Sequence, residues 1–125
     1  MHDQIENLPT IQETLKKNKV KINKALGQNF LFDLNLTDKI VKQSKPIAST
    51  IIEIGSGPGS LTRSILKNKS AIVYAIDKDM QSEKMLSELK TIYKDKLKII
   101  TGDALNYPIW NLGKAPRQVL SLIHI

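Results

Sequence analysis

Residues 51–60 read Ile-Ile-Glu-Ile-Gly-Ser-Gly-Pro-Gly-Ser, a short β-branched run that ends in three glycines at alternate positions. The apolar run predicts a buried strand. The glycines let the backbone turn sharply and approach a ligand without Cβ atoms in the way. From Ser60 to Asn68 helical spacing resumes through Leu61, Ile65 and Leu66. A strand, a glycine turn and a helix are therefore expected in succession.

The same alternation continues after this unit. Residues 71–76 form a second apolar run, and residues 97–100 form a third. A helical stripe between them consists of Met80, Met85, Leu86, Leu89 and Ile92. A last short strand is predicted around residues 118–122. Strands that alternate with helices and lack a polar face predict an α/β fold, with a parallel sheet and helices on both of its sides.

Two helices are predicted before the sheet. The first begins at Thr10, which has the spacing of a capping box with Glu13, and it ends near Lys17. The second, of about three turns, begins at Asp33, which is placed to cap it, and ends before Pro46.

Composition narrows the class of protein. A chain of 125 residues with 41% hydrophobic and 25% charged residues fits one globular domain. Cysteine is absent, and His2 and His124 stand at opposite ends, so a metal-centred mechanism is not expected. Polar residues interrupt the sequence after Met1, and no run approaches the ~18 apolar residues of a membrane span. The sequence predicts a cytoplasmic monomer without a membrane segment.

The formal net charge of +7 favours a polyanionic partner. A general lysine bias would also give this charge, but five lysines stand close together with no acidic residue among them. They are Lys16, Lys17, Lys19, Lys21 and Lys24. This cluster predicts a basic arm that follows the phosphates of RNA.

The spacing of the glycines discriminates between ligands. A dinucleotide fingerprint requires Gly-x-Gly-x-x-Gly, whereas here the third glycine comes one residue early and Ser60 stands in its place. The carboxylate of Glu53 would also repel a pyrophosphate. Both features favour a cationic ligand without phosphate, such as S-adenosyl-L-methionine. The predicted cofactor-binding residues of the turn are Glu53, Gly55 and Gly57.

Two further acids follow the next two predicted strands. Asp77 stands about twenty residues beyond the turn, where a carboxylate can accept both hydroxyls of a ribose. Asp103 ends the third strand and could accept a hydrogen bond from the adenine amino group. Because ligands of open parallel sheets lie across the carboxyl ends of the strands, both acids and the glycine turn should meet in one crevice.

With these features the sequence resembles the ribosomal RNA adenine dimethyltransferases, which dimethylate adenines near the 3′ end of small-subunit RNA. The resemblance covers roughly residues 21–118. Its most specific part is residues 25–31, Ala-Leu-Gly-Gln-Asn-Phe-Leu, which is similar to the element with which that family closes over its cofactor.

The resemblance implies a role for each matching residue. Asn29 and Leu31 would contact the cofactor, and Gly55 would support its methionine part. Asp77 would bind the ribose, and Asp103 the adenine ring. Many members of the family carry glutamate at position 77, so aspartate here keeps the charge with a shorter reach.

The sequence departs from the family after the fourth strand, where an Asn-Leu-Pro-Tyr motif is expected. Residues 117–125 instead read Arg-Gln-Val-Leu-Ser-Leu-Ile-His-Ile. We expect an N-terminal helix and basic arm at 1–24, the cofactor-binding part of a Rossmann-like methyltransferase domain at 25–120, incomplete at its C-terminus, and a non-native tail at 121–125. The C-terminal helical RNA-binding domain would be absent, no catalytic residue can be assigned, and an inactive fragment is predicted.

The predicted function is S-adenosyl-L-methionine-dependent N6-dimethylation of adenines in small-subunit ribosomal RNA. One alternative is a large-subunit rRNA adenine methyltransferase of the antibiotic-resistance type. Another is a fragment of an NAD-binding oxidoreductase, which the early third glycine disfavours. A third is a non-enzymatic fragment that is marginally folded.

Overall fold

The computed structural model describes residues 8–19, 34–43 and 48–121. Five helices and four strands follow one another along these residues: α1 (Ile11–Lys17), α2 (Leu34–Gln43), β1 (Thr50–Ile54), α3 (Ser60–Asn68), β2 (Ile72–Asp77), α4 (Gln81–Met85), α5 (Ser87–Tyr93), β3 (Leu97–Thr101) and β4 (Arg117–Leu120). Single 3₁₀ turns lie at Lys94–Lys96 and Ile109–Asn111.

The four strands form one parallel sheet in the order β3-β2-β1-β4. The α/β fold with a parallel sheet is therefore confirmed. The chain moves outwards from β1 to β2 and β3 and then returns to pair β4 with the other side of β1. The strand order thus reverses at β1, and such a switch point is where open α/β sheets bind their ligands.

The main core lies on one face of this sheet. The pairing register aligns Ile51 with Val73 and Val73 with Leu97, and all three side chains are buried. Helices α2, α3 and α5 cover them with further buried side chains, namely Val41, Leu61, Ile65, Leu66, Leu89 and Tyr93. Each large apolar side chain buried in this way contributes roughly 1.5–3 kcal/mol to folding.

Within the described residues, the main core cluster identifies helices on one face of the sheet only, so coverage of the other face stays a prediction. All strand residues in the main core cluster belong to the face just described. On the opposite face Ile52 and Ile76 are buried, but Ile72 is 41% exposed. The segment between β3 and β4 contains a single 3₁₀ turn at Ile109–Asn111. Its prolines and glycines oppose a longer helix.

The first helix begins as its sequence predicts. The Thr10 hydroxyl oxygen accepts a hydrogen bond from the Glu13 amide at 3.1 Å, which confirms the N-cap. The Glu13 carboxylate accepts a hydrogen bond from the Thr10 hydroxyl at 3.2 Å, in place of the bond from the Thr10 backbone amide that a capping box would have. The second helix is also present, but Asp33 and Pro46, its predicted ends, lie outside the described residues.

The predicted helix over residues 80–92 is divided into α4 and α5 at Leu86. The Leu86 side chain is fully buried in the core cluster, whereas Met80 is 76% exposed and takes no part in the predicted stripe.

Among the described residues, no helix is both long and apolar enough to cross a membrane.

Candidate functional site

The glycine loop between β1 and α3 has a left-handed backbone at all three glycines, with φ of 75° at Gly55, 50° at Gly57 and 96° at Gly59. A Cβ atom on Gly59 would lie 2.6 Å from Cδ2 of Leu86, so a side chain there would displace the buried Leu86 in addition to straining the backbone. A Cβ atom on Gly57 would meet nothing within 4 Å. The loop therefore presents its open backbone at Gly57.

Asp77, at the end of β2, connects this loop to the neighbouring strand. One carboxylate oxygen accepts the Gly57 amide at 2.8 Å, and the other accepts the Asp79 amide at 2.9 Å. The Asp77 backbone oxygen also accepts the Gly102 amide at 2.8 Å. The carboxyl ends of β1, β2 and β3 are thus held together by one residue.

Asp103 follows β3 at the same edge of the sheet. Its carboxylate accepts the Leu105 amide at 3.0 Å and the Asn106 side-chain amide at 3.2 Å, and it lies 3.8 Å from the Lys78 ammonium. The glycine loop, Asp77 and Asp103 therefore lie at the same carboxyl edge of the sheet, as their positions in the sequence indicate.

Glu53 occupies a different environment from the other two acids. It is only 2% exposed, and it accepts a short hydrogen bond from the Thr62 hydroxyl of α3. Burial, with a smaller effect from the Asp77 carboxylate, raises the pKa of Glu53 to about 7, although the Thr62 bond opposes the rise. The carboxyl group thus lies beneath the glycine loop rather than on its open side, and its predicted contact with a ligand stays a prediction.

Two serines that the sequence did not single out support the loop. The Ser82 hydroxyl lies 3.1 Å from the Ser56 hydroxyl and 3.2 Å from the backbone oxygen of Gly57, and both serines are buried. Ser56 could have been suspected from its place among the glycines. Ser82 could not, because only the fold brings α4 against the loop.

The remaining predicted residues are distributed as follows. Lys16 and Lys19 are exposed, whereas Lys17 forms an ion pair with Glu88 of α5 at 3.2 Å. Outside the described residues lie Asn29, Leu31, Lys21 and Lys24.

The described residues contain no group of three or more acidic or histidine side chains placed to hold a metal ion.

A second depression lies beside the crevice, between α4 and the end of β3. Its volume is about 830 Å³, and its lining includes Met80, Gln81, Glu83 and Thr101. Since β3 also leads into Asp103, this depression continues the edge of the sheet where the predicted ligand residues meet.

Solved structures resemble this fold at low sequence identity. A protein of Methanococcus maripaludis, provisionally classed as an S-adenosyl-L-methionine-dependent methyltransferase, matches with a TM-score of 0.55 and 23% identity over 79% of this chain and 44% of its own. Mitomycin 7-O-methyltransferase matches with a TM-score of 0.53 and 20% identity over 80% of this chain and 30% of its own. At these identities the likeness concerns the fold, which is Rossmann-like as predicted.

Sequence relatives are more similar. The ribosomal RNA small subunit methyltransferase A of Rhodospirillum rubrum is 40% identical over 93% of this chain and 41% of its own length. The enzyme of the same name from Bartonella bacilliformis is 43% identical over 94% of this chain and 44% of its own. The chain therefore spans about two fifths of the length of these curated relatives.

A family model described as ribosomal RNA adenine dimethylase matches residues 19–117. That range includes the glycine loop, Asp77 and Asp103, and it extends from the basic stretch to the first residue of β4. The chain belongs to the ribosomal RNA adenine dimethylase family.

Proposed function

We propose that the chain binds S-adenosyl-L-methionine in the crevice formed by the glycine loop, Asp77 and Asp103. The observation that carries this proposal is the link between Asp77 and the backbone of Gly57, beside a loop face that is open to a ligand. A ribose bound by Asp77 would then place the rest of the cofactor against that face.

The charges of the crevice fit this cofactor better than they fit a dinucleotide. Asp77 and Asp103 are acidic, and a pyrophosphate at the glycine loop would be repelled by them. A ligand with a sulfonium and an ammonium group is attracted instead. Residues Asn29 and Leu31 complete the proposed site through the family resemblance.

The proposed reaction of the complete enzyme is dimethylation of adenine N6 in small-subunit ribosomal RNA. The bound cofactor supplies an electrophilic methyl group, and the residues of this chain bind and orient it. Support comes from the family and from relatives whose name specifies the small subunit. We also propose a cytoplasmic location, where the proposed ribosomal RNA substrate would be met, and a monomer that requires no metal.

We further propose that these 125 residues bind the cofactor without transferring its methyl group. The adenine amine is a poor nucleophile, and groups that hold its hydrogens must favour a reactive geometry. The family motif Asn-Leu-Pro-Tyr, which would do this, does not follow β4 in the sequence. Dimethylation of small-subunit particles by the purified 125-residue chain would contradict this proposal.

Calorimetric titration with S-adenosyl-L-methionine and with NAD tests the cofactor. We expect saturable binding of the first only. Asp77→Asn and Asp103→Asn should each weaken it by roughly tenfold, the loss of one hydrogen bond to a charged group. Asp95→Asn is the matched control because Asp95 is fully exposed and precedes β3, whereas Asp103 follows that strand at its other end. Tighter binding of NAD, or equal affinity in all three variants, would refute the assignment.

The substrate RNA is tested with a complete relative that carries the same basic stretch. Methyl transfer to small-subunit particles but not to large-subunit RNA is expected, and the opposite preference would favour the antibiotic-resistance class. Replacement of Lys16 and Lys19 by glutamine in that protein should lower RNA affinity and reduce its salt dependence. Unchanged salt dependence would remove these lysines from the proposed RNA contact.

A further inference from the structure

A cavity of about 230 Å³ lies on the side of the glycine loop that faces α1. Helix α1, the first turn of α3 and the break between α4 and α5 surround it. Pro58 of the glycine loop forms part of its wall, as do Thr14 of α1 and Arg63 of α3. The cavity is thus separate from the crevice at Asp77 and Asp103 but shares the loop with it.

Arg63 is the unusual residue of this cavity because it is only 8% exposed. Its guanidinium donates a long hydrogen bond of 3.5 Å to the Thr14 hydroxyl. Within the described residues, no carboxylate oxygen lies within 4.0 Å of it. Burial lowers the pKa of Arg63, and the nearby Glu88 carboxylate opposes this. A buried guanidinium without a close anion is costly, so the cavity favours an anionic occupant.

The charged side chains that line the cavity are positive on balance, like Arg63 itself. Lys17 and Lys84 line it together with Arg63, whereas Glu88 is the one acid in the lining. The Glu88 carboxylate is already paired with Lys17 at 3.2 Å. Three cations therefore face one carboxylate. A guanidinium with free N–H groups binds the oxygens of phosphate in a bidentate manner, which a lysine cannot do.

We propose that this cavity binds a phosphate group, with Arg63 as its principal ligand and Lys84 as the second. Inorganic phosphate and an RNA phosphodiester offer the same chemistry. That the RNA substrate is the natural source rests on the proposed function, whereas the anion site rests on the cavity alone. Lys17, assigned to the basic arm from the sequence, would then connect that arm to a defined phosphate position.

Titration of the 125-residue chain with inorganic phosphate, and with a short single-stranded oligoribonucleotide, tests the site. We expect saturable binding of both, with competition between them. Arg63→Gln should weaken phosphate binding by roughly tenfold or more, and Lys84→Gln by a few-fold. Glu88→Gln should strengthen it by a few-fold, because a repelling carboxylate is removed. Lys96→Gln is the matched control, since Lys96 is exposed and does not line the cavity.

Lys84→Gln and Glu88→Gln change side chains outside the core, so the test remains decisive if Arg63→Gln fails to fold. Unchanged phosphate affinity in both Lys84→Gln and Glu88→Gln would overturn the site. Absence of phosphate binding in a chain that still binds S-adenosyl-L-methionine would overturn it and leave the proposed function intact. Phosphate binding in a chain that does not bind S-adenosyl-L-methionine would support the anion site and overturn the proposed function. Phosphate that the oligoribonucleotide fails to displace would support the site and refute RNA as its source.

Discussion

Replacing Glu53 with glutamine should stabilise the ligand-free chain above neutral pH. The Glu53 carboxyl is buried, and its pKa is raised from an ordinary 4.5 to about 7. The folded state therefore holds this proton more tightly than the unfolded state does. The free energy of unfolding should fall as pH rises from 4.5 through 7 and then stay low. Since one pKa unit corresponds to ~1.4 kcal/mol, the full loss is about 3 kcal/mol.

Urea unfolding at pH 5.5 and pH 8 measures this effect. Glutamine is nearly the same size, and its carbonyl oxygen can still accept the Thr62 hydrogen bond, so the variant should lose much less stability over that interval. Asp95→Asn, at a fully exposed acid, is the control and should behave as the original chain does. Identical pH dependence in Glu53→Gln and the original chain would show that Glu53 is ionised normally, and the reasoning would fail.

Glu53→Gln should weaken cofactor binding above neutral pH, although it stabilises the ligand-free chain there. A sulfonium or ammonium group near Glu53 favours the ionised carboxylate and lowers its pKa. The affinity for S-adenosyl-L-methionine should therefore rise between pH 6 and pH 8 in the original chain, and Glu53→Gln should bind more weakly at pH 8. Calorimetry at both pH values measures this. Equal affinities would mean that Glu53 acts only as part of the core.

Three further substitutions test the loop and the helix packing by chemical denaturation. Gly59→Ala should cost about 2–4 kcal/mol, because it combines a left-handed φ with a clash against Leu86, and an unchanged midpoint would contradict the packing. Gly57→Ala should cost only about 1 kcal/mol, since it meets open space, but should weaken cofactor binding; full affinity would place the ligand elsewhere. Thr37→Val should cost about 1 kcal/mol, because it removes the buried 2.6 Å bond to the Ser64 hydroxyl while the Asp38 carboxylate remains as a partner of that hydroxyl, and a neutral effect would deny the bond.

The elements that sequence predicts best are those whose signals are local. The helix predicted from Ser60 to Asn68 has these bounds in the structure. Its start is determined by the preceding glycines and its face by the spacing of its apolar residues, which requires no information from elsewhere in the chain. The strand before it is likewise confirmed at Thr50–Ile54.

The features that sequence missed depend on distant contacts. The break at Leu86 cannot be inferred from the regular apolar stripe, and the packing of this side chain on Gly59 is visible only in the fold. The burial of Glu53 is a different case. Side chains of a strand alternate, so Glu53 shares its face with Ile51, and Ile51 is in the core. The pattern contained that signal, although the charge of the residue favoured a ligand contact.

Three contacts that hold the glycine loop come from the end of β2 and from the segment after it, rather than from helix α3, which directly follows the loop. Asp77 accepts the Gly57 amide, Ser82 donates to the Gly57 oxygen, and Leu86 packs on Gly59. These three contacts come from β2, α4 and the α4–α5 break, so the loop conformation depends on the end of β2 being correctly paired. Because Leu86 also lines the cavity of Arg63, an anion bound there contacts the same break that holds the loop. Occupation of the cavity should therefore alter cofactor affinity, and by linkage the cofactor should alter phosphate affinity by the same factor.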